Sequence, residues 1–217
     1  MSTPTLAEAV ATAVRKDILD GKHLSGERLI ELSIAHELNV SQITVRDALR
    51  ILEQEGWVVK QPRRGVYVRS FTPENALEVF AVMEALELLL LEWLIPVITK
   101  AACAELGVLL MTARKHAHRS ERREAITVLF AFHEKMGTLI DRPLTNHLLD
   151  GLRNQVRLLE AIRQARAPFN LRELHAQIDQ HEAIVRALEA GDLAGAQQHS
   201  RVLYAAYREL MLSILRI

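Results

Sequence analysis

Apolar residues at steps of four, Leu6, Val10, Val14 and Ile18, draw one stripe along a helix over Leu6 to Leu19, which Gly21 stops. A second short pattern predicts a helix over Leu29 to Leu38, and Asn39 suits the left-handed residue of a tight turn. Ser41 is a good N-cap for a third helix that runs to about Glu55 and ends at Gly56. On that helix Val45, Ala48, Leu49 and Leu52 share a face that should pack on the first two helices. Gln42, Ile43, Arg46 and Arg50 are thereby turned outward. The period then changes. Trp57-Val58-Val59-Lys60 and Val66-Tyr67-Val68 read as short strands, joined by the turn Pro62-Arg63-Arg64-Gly65. Helix, tight turn, helix and β turn in that order read as a winged helix-turn-helix, which lays one helix in the major groove of DNA.

Ser70-Phe71-Thr72-Pro73 reads as a short linker, and from Glu74 onward the pattern is helical throughout. Helices are predicted near 74–95, 99–117, 121–140, 144–166, 171–190 and 192–215. Pro96, Pro143 and Pro168 punctuate them, with Asn170 and Asp192 as caps and Gly191 as a stop. The expected fold class is mainly α. Residues 1–70 form a winged helix-turn-helix DNA-binding domain, 71–75 a linker, and 76–217 an all-α helical bundle for effector binding and dimerisation.

Composition narrows the setting more than the chemistry. With 217 residues, 49% of them hydrophobic, the chain can bury a core. Formal net charge is zero, but residues 41–70 hold six Lys/Arg against three acids, and residues 1–40 hold four against six. The positive charge is thus local, as a DNA-facing patch requires. Cys103 is the only cysteine, so neither an internal disulfide nor a cysteine-based zinc site can form. Met1-Ser2-Thr3-Pro4 carries no signal-peptide pattern. Leu86 to Ile98, the most apolar run, contains Glu87, Glu92 and Pro96 and is too short to span a bilayer. A cytoplasmic protein with no membrane partner is expected.

The candidate DNA contacts follow from position. Arg46 can bond a guanine in bidentate fashion and Gln42 an adenine. Ser41 and Thr44 are small groups suited to phosphate, and Arg50, one turn beyond Arg46, is placed for the backbone. Arg63 and Arg64 at the β-turn tip can reach an adjacent minor groove, with Gly65 allowing close backbone approach.

These residues carry a resemblance. Ser25-Gly26-Glu27-Arg28-Leu29, Leu38-Asn39-Val40-Ser41, Val45-Arg46-Asp47-Ala48-Leu49, Leu52-Glu53, Glu55-Gly56 and Arg64-Gly65-Val66-Tyr67-Val68 closely resemble the GntR family of bacterial transcription regulators. In that family an arginine usually follows the turn serine and reads DNA. Gln42 stands there in this chain, which implies an operator preference departing from the commonest one.

The helical half resembles the effector domain of the FadR-like subgroup, through Phe132-His133, Asn146 before Leu148-Leu149, and His181 followed by Ile184, Ala187, Leu188, Gly191-Asp192 and Ala196. Many members of this subgroup hold a divalent metal through one Asp and three His, and small carboxylates bind on it. His133 and His181 match two of those ligands, but Leu129 and Leu203 stand where the Asp and the third His should be. His199 or His175 are the available substitutes. Phe80 stands near the place of an arginine that many members carry. The resemblance therefore implies an effector pocket without a metal cofactor, in which His133 and His181 are the polar groups and the effector has apolar character. A degenerate metal site on the two histidines is the alternative.

The resulting expectation is a homodimeric regulator, and more specifically a repressor, that binds double-stranded operator DNA and answers to a small-molecule effector. A repressor that has lost its effector site is the rival. No nucleophile–base arrangement, phosphate-cradling glycine loop or carboxylate pair points to an enzyme.

Overall fold

The structure is a computed structural model that describes residues 4–167 and 170–215. Met1–Thr3 and the expected break at Pro168 lie outside the described residues. Helix α1 (Leu6–Leu19) starts in a capping box, with the Thr5 hydroxyl taking the Glu8 N–H and the Glu8 carboxylate taking the Thr5 N–H. Val10, Val14 and Ile18 are buried as expected, whereas Leu6 is exposed, because the stripe runs past the end of the core.

The segment read as one helix over Leu29 to Leu38 divides. Arg28–Leu29 is strand β1, and only Glu31–Glu37 is helical, as α2. Arg28 pairs with Tyr67 and Leu29 with Val66, so backbone partners across the sheet outweigh a short apolar pattern that fits either structure. Asn39 takes the left-handed conformation at φ 52°. Ser41 caps α3 (Gln42–Gln54), and its hydroxyl accepts the Thr44 N–H. Strands β2 (Val58–Gln61) and β3 (Gly65–Val68) complete a three-stranded antiparallel sheet in the order β1-β3-β2. Val45, Ala48, Leu49 and Leu52 are buried on α1 and α2, as their spacing requires.

Thr72 caps α4 (Pro73–Leu94), with Pro73 in the first turn, so the helix begins inside the predicted linker. The bundle continues through α5 (Lys100–His118), α6 (Arg122–Thr138), α7 (Pro143–Arg166), α8 (Leu171–Ala190) and α9 (Leu193–Leu215). Asn170 caps α8, and Gly191 closes it at φ 69°. Leu90, Leu91, Met211 and Ile214 are buried within this half, as core.

Two cores result, and α7 belongs to both. Leu149 and Leu159 sit in the bundle core, while Leu158 is 2% exposed within the core of the winged helix. Asn154 Nδ2 donates to the Glu55 carbonyl at 3.2 Å. Arg123 on α6 donates to the Leu19 carbonyl at 2.7 Å and pairs with Asp20 at 2.5 Å. A Cβ added at Gly56 would lie 3.4 Å from the Gly151 carbonyl, so the backbones approach closely there.

Candidate nucleic-acid interface and ligand cavity

On the outer face of α3, Ile43, Arg46 and Arg50 are exposed and Gln42 is partly so. Glu31, in the first turn of α2, accepts from Arg46 Nε at 2.7 Å and from Gln42 Nε2 at 2.8 Å. One carboxylate thus gathers the two side chains assigned to base reading. Arg50 pairs with Asp47 at 2.9 Å, and both are well exposed. Ser41 and Thr44 share a hydroxyl hydrogen bond at 2.8 Å in addition to the cap, so their oxygens are engaged at the helix start. Arg63 and Arg64 are exposed at the wing tip, Arg63 at φ 62° and Gly65 at φ 112°. A Cβ at Gly65 would come within 3.1 Å of Arg28 Nε. The sequence thus put Arg46 and Arg50 on the exposed face of α3 and Arg63 and Arg64 on the exposed wing turn, and missed Glu31, whose role needs α2 and α3 to be packed together.

In the bundle, His133 on α6 and His181 on α8 meet: their Nε2 atoms are 3.0 Å apart. They do not stand alone as the polar groups of the interior. Glu87 on α4 reaches His133 Nδ1 at 3.0 Å, and the Tyr204 hydroxyl on α9 donates to the other Glu87 oxygen at 2.8 Å. His181 Nδ1 lies 2.6 Å from the Gln177 carbonyl, which can only accept, so Nδ1 carries hydrogen. Burial, then the neighbouring His133, pushes His181 down to a pKa of about 3, and it is neutral near pH 7. Its Nε2 is then an acceptor, and His133 Nε2 must donate. Burial alone would raise the Glu87 carboxyl, but His133, Tyr204 and Arg153 outweigh it and hold the group below its ordinary value. Burial, with Glu87 beside it, raises Tyr204. Arg153, 2% exposed, donates to the His133 carbonyl at 3.0 Å and to Asp150 at 2.8 Å.

This arrangement does not fit the metal that the subgroup implies. The two histidines point their nitrogens at each other, and the remaining nitrogens face Glu87 and a carbonyl. Leu129 lines the space where a carboxylate would be needed. Among the described residues no group of three His, Cys, Asp or Glu could hold a metal ion. The substitutes are elsewhere: His199 bonds Gln180, and His175 packs edge-on against His118. Leu203 is buried but borders a different groove, while its neighbour Tyr204 faces the cluster.

Beside the cluster lies a cavity of about 50 Å³. Phe80, Met83, Leu129, Phe130, Val156 and Met211 supply most of its wall. His133, Gln177, Tyr204, Tyr207 and Glu160 add polar atoms, whereas His181 lies behind His133 and does not line it. Glu87 was legible only as a charge interrupting an apolar run. Its period on α4, four residues after Met83 and seven after Phe80, was the available signal.

Residues 6–68 match the family described as bacterial regulatory proteins, gntR family, and residues 78–206 match the FCD domain. An uncharacterized HTH-type transcriptional regulator of Bacillus subtilis (strain 168), YdhC, is 28% identical over 193 residues, covering 86% of this chain and 82% of that protein. The gluconate operon transcriptional repressor of the same organism is 25% identical over 198 residues, covering 89% and 80%. Among solved structures, E. coli McbR/YncC superposes with a TM-score of 0.83 at 19% identity, over 97% of this chain and 99% of that one. A GntR regulator from Rhodococcus sp. RHA1 superposes at 0.79 with 24% identity, over 95% and 97%. At these identities the two superpositions speak for the fold. Among the described residues no helix is long and apolar enough to cross a membrane.

Proposed function

Because the chain belongs to the gntR family of bacterial regulatory proteins and carries an FCD domain, we propose that it is a homodimeric repressor whose grip on operator DNA is set by a small molecule bound in the helical bundle. That it is a DNA-binding transcription regulator rather than an enzyme follows from the family itself. Repression, dimerisation and effector control are our reading.

One observation carries the effector reading. On α7, Val156 and Glu160 line the cavity, and Leu158, half a turn round the helix, is buried in the core of the winged helix. A ligand that moves α7 must therefore strain or shift the DNA-binding domain. Shifts of this kind extend only as far as the ligand's difference in affinity for the two arrangements. In the dimer, two winged helices meet two half-sites of a near-palindromic operator. Arg46 and Gln42 read bases once DNA competes them away from Glu31, and Arg50, Ser41, Thr44, Arg63, Arg64 and Gly65 hold the backbone and the minor groove.

Selection of bound sites from random DNA by the purified full chain tests this. A two-fold symmetric site bound at least about a thousandfold more tightly than random DNA is expected. Binding without sequence preference, or by a monomer, would overturn the reading.

A further inference from the structure

We propose that the cavity between α4, α6, α7 and α9 takes a small, uncharged, largely apolar molecule of phenol type, and takes it without a metal ion. This names the ligand class of the effector site proposed above and rests on that reading.

The wall decides first. Phe80, Met83, Leu129, Phe130, Val156 and Met211 offer a single ring apolar contact on several sides. Charge decides second. A carboxylate entering here would lose its hydration and find, among the described residues, no basic group that lacks an acid partner already. Arg163 holds Glu160 through two hydrogen bonds of 2.6 Å, with Arg122 3.4 Å from the same carboxylate. Arg153 does not line this cavity; it borders a different groove and gives its two terminal nitrogens to the His133 carbonyl and Asp150. The His133 nitrogens face Glu87 and His181, and the Glu87 charge stands directly behind the imidazole. An anion would thus face the Glu160 carboxylate on the wall, with the Glu87 charge behind His133, while an uncharged ring meets neither cost.

A place for one hydroxyl remains. The Gln177 amide and the Tyr207 hydroxyl both line the cavity, and neither side chain makes a hydrogen bond among the described residues. Size decides third. At about 50 Å³ the cavity exceeds the room of a single water but is well short of the ~150 Å³ in which an apolar cavity holds benzene. Met83 and Met211 are the unbranched, flexible walls whose rotation can supply the difference. They also supply the reporter. Of the five methionines, Met83 and Met211 line the cavity, Met136 is buried away from it, and Met111 is exposed on α5.

The test is a titration of the full chain, labelled with ¹³C at the methionine methyls, with phenol, toluene, benzoate, and citrate with and without Zn²⁺. Phenol and toluene should shift Met83 and Met211 saturably and leave Met111 in place. Benzoate should need at least about tenfold more, because burial strips its carboxylate of water. Val156→Phe should fill the space and abolish the phenol shift. Should that variant not fold, Leu129→Ala, which enlarges the space, should tighten phenol binding instead. Equal binding of benzoate, shifts by citrate only with Zn²⁺, or no shift of Met83 and Met211 by any probe would each overturn the proposal. Operator affinity on the same samples separates it from the effector reading. Phenol binding that leaves operator affinity unchanged keeps the ligand class and overturns effector control. Operator release by citrate with Zn²⁺ keeps effector control and overturns the ligand class.

Discussion

His181 should make the protein lose stability between pH 7 and pH 5 by an amount that one substitution removes. In the unfolded chain the imidazole has its ordinary value of 6.5, and in the fold it is held at about 3 by burial first and by His133 second. Between those values the unfolded chain binds a proton that the native chain refuses, so stability is full above 6.5 and falls as pH falls. Integrating that difference from pH 7 to pH 5 gives a loss of about 2 kcal/mol. The groups facing His181 do not reproduce it. Glu87 sits below its ordinary 4.5, so its contribution is lost only at pH values below this window, and Tyr204 is raised far above it. Wild type and His181→Gln would be unfolded in urea at pH 7 and pH 5, at one protein concentration, so that the histidines that do not touch His181 cancel in the comparison. The wild type should lose about 2 kcal/mol more than the variant. Imidazole NMR of the native protein should show no protonation of His181 down to pH 5. Equal losses in both proteins, or a His181 resonance that titrates near 6.5, would refute the argument that this ring is a neutral acceptor locked by the Gln177 carbonyl.

Leu158→Ala should destabilise the chain by about 2–5 kcal/mol, since it opens a void in the core of the winged helix, and thermal unfolding should show that domain melting first. Arg46→Ala should weaken specific DNA binding by about 1–3 kcal/mol and relax sequence choice, whereas Arg50→Ala should weaken all sequences alike and flatten the salt dependence in a fluorescence anisotropy titration. Gly65→Val should cost about 1–3 kcal/mol, because φ 112° strains any side chain and the new Cβ meets Arg28 Nε; chemical denaturation reads it directly. Prolonged dialysis against EDTA should leave the melting temperature and operator affinity unchanged, and elemental analysis of the untreated protein should find no stoichiometric zinc, nickel or manganese.

Much of this molecule was legible in its residue order because the decisive forces there are local. The stripe Val45, Ala48, Leu49 and Leu52 allows one helix orientation, and it is the one observed. Asn39 and Gly191 mark left-handed turns that few other residues adopt, and Ser41 and Asn170 mark helix starts. The six helices of the bundle follow from the same signals; resemblance to related domains singled out His133 and His181 as pocket groups, but their contact with each other came only with the packed structure. The sequence by itself therefore determined the element order and which segments build the winged helix and which the bundle. What it could not set was decided by packing between distant segments. Arg28–Leu29 became a strand because β3 offered its edge. Glu31 became the partner of Arg46 and Gln42 because α2 crosses α3. Glu87, Tyr204 and Arg153, separated by more than forty residues from one another, became one buried network only when α4, α7 and α9 closed around His133. A periodic pattern states which face of a helix is apolar. Which charges that face brings within 3 Å of one another depends on the crossing of helices, and that is a property of the packed chain.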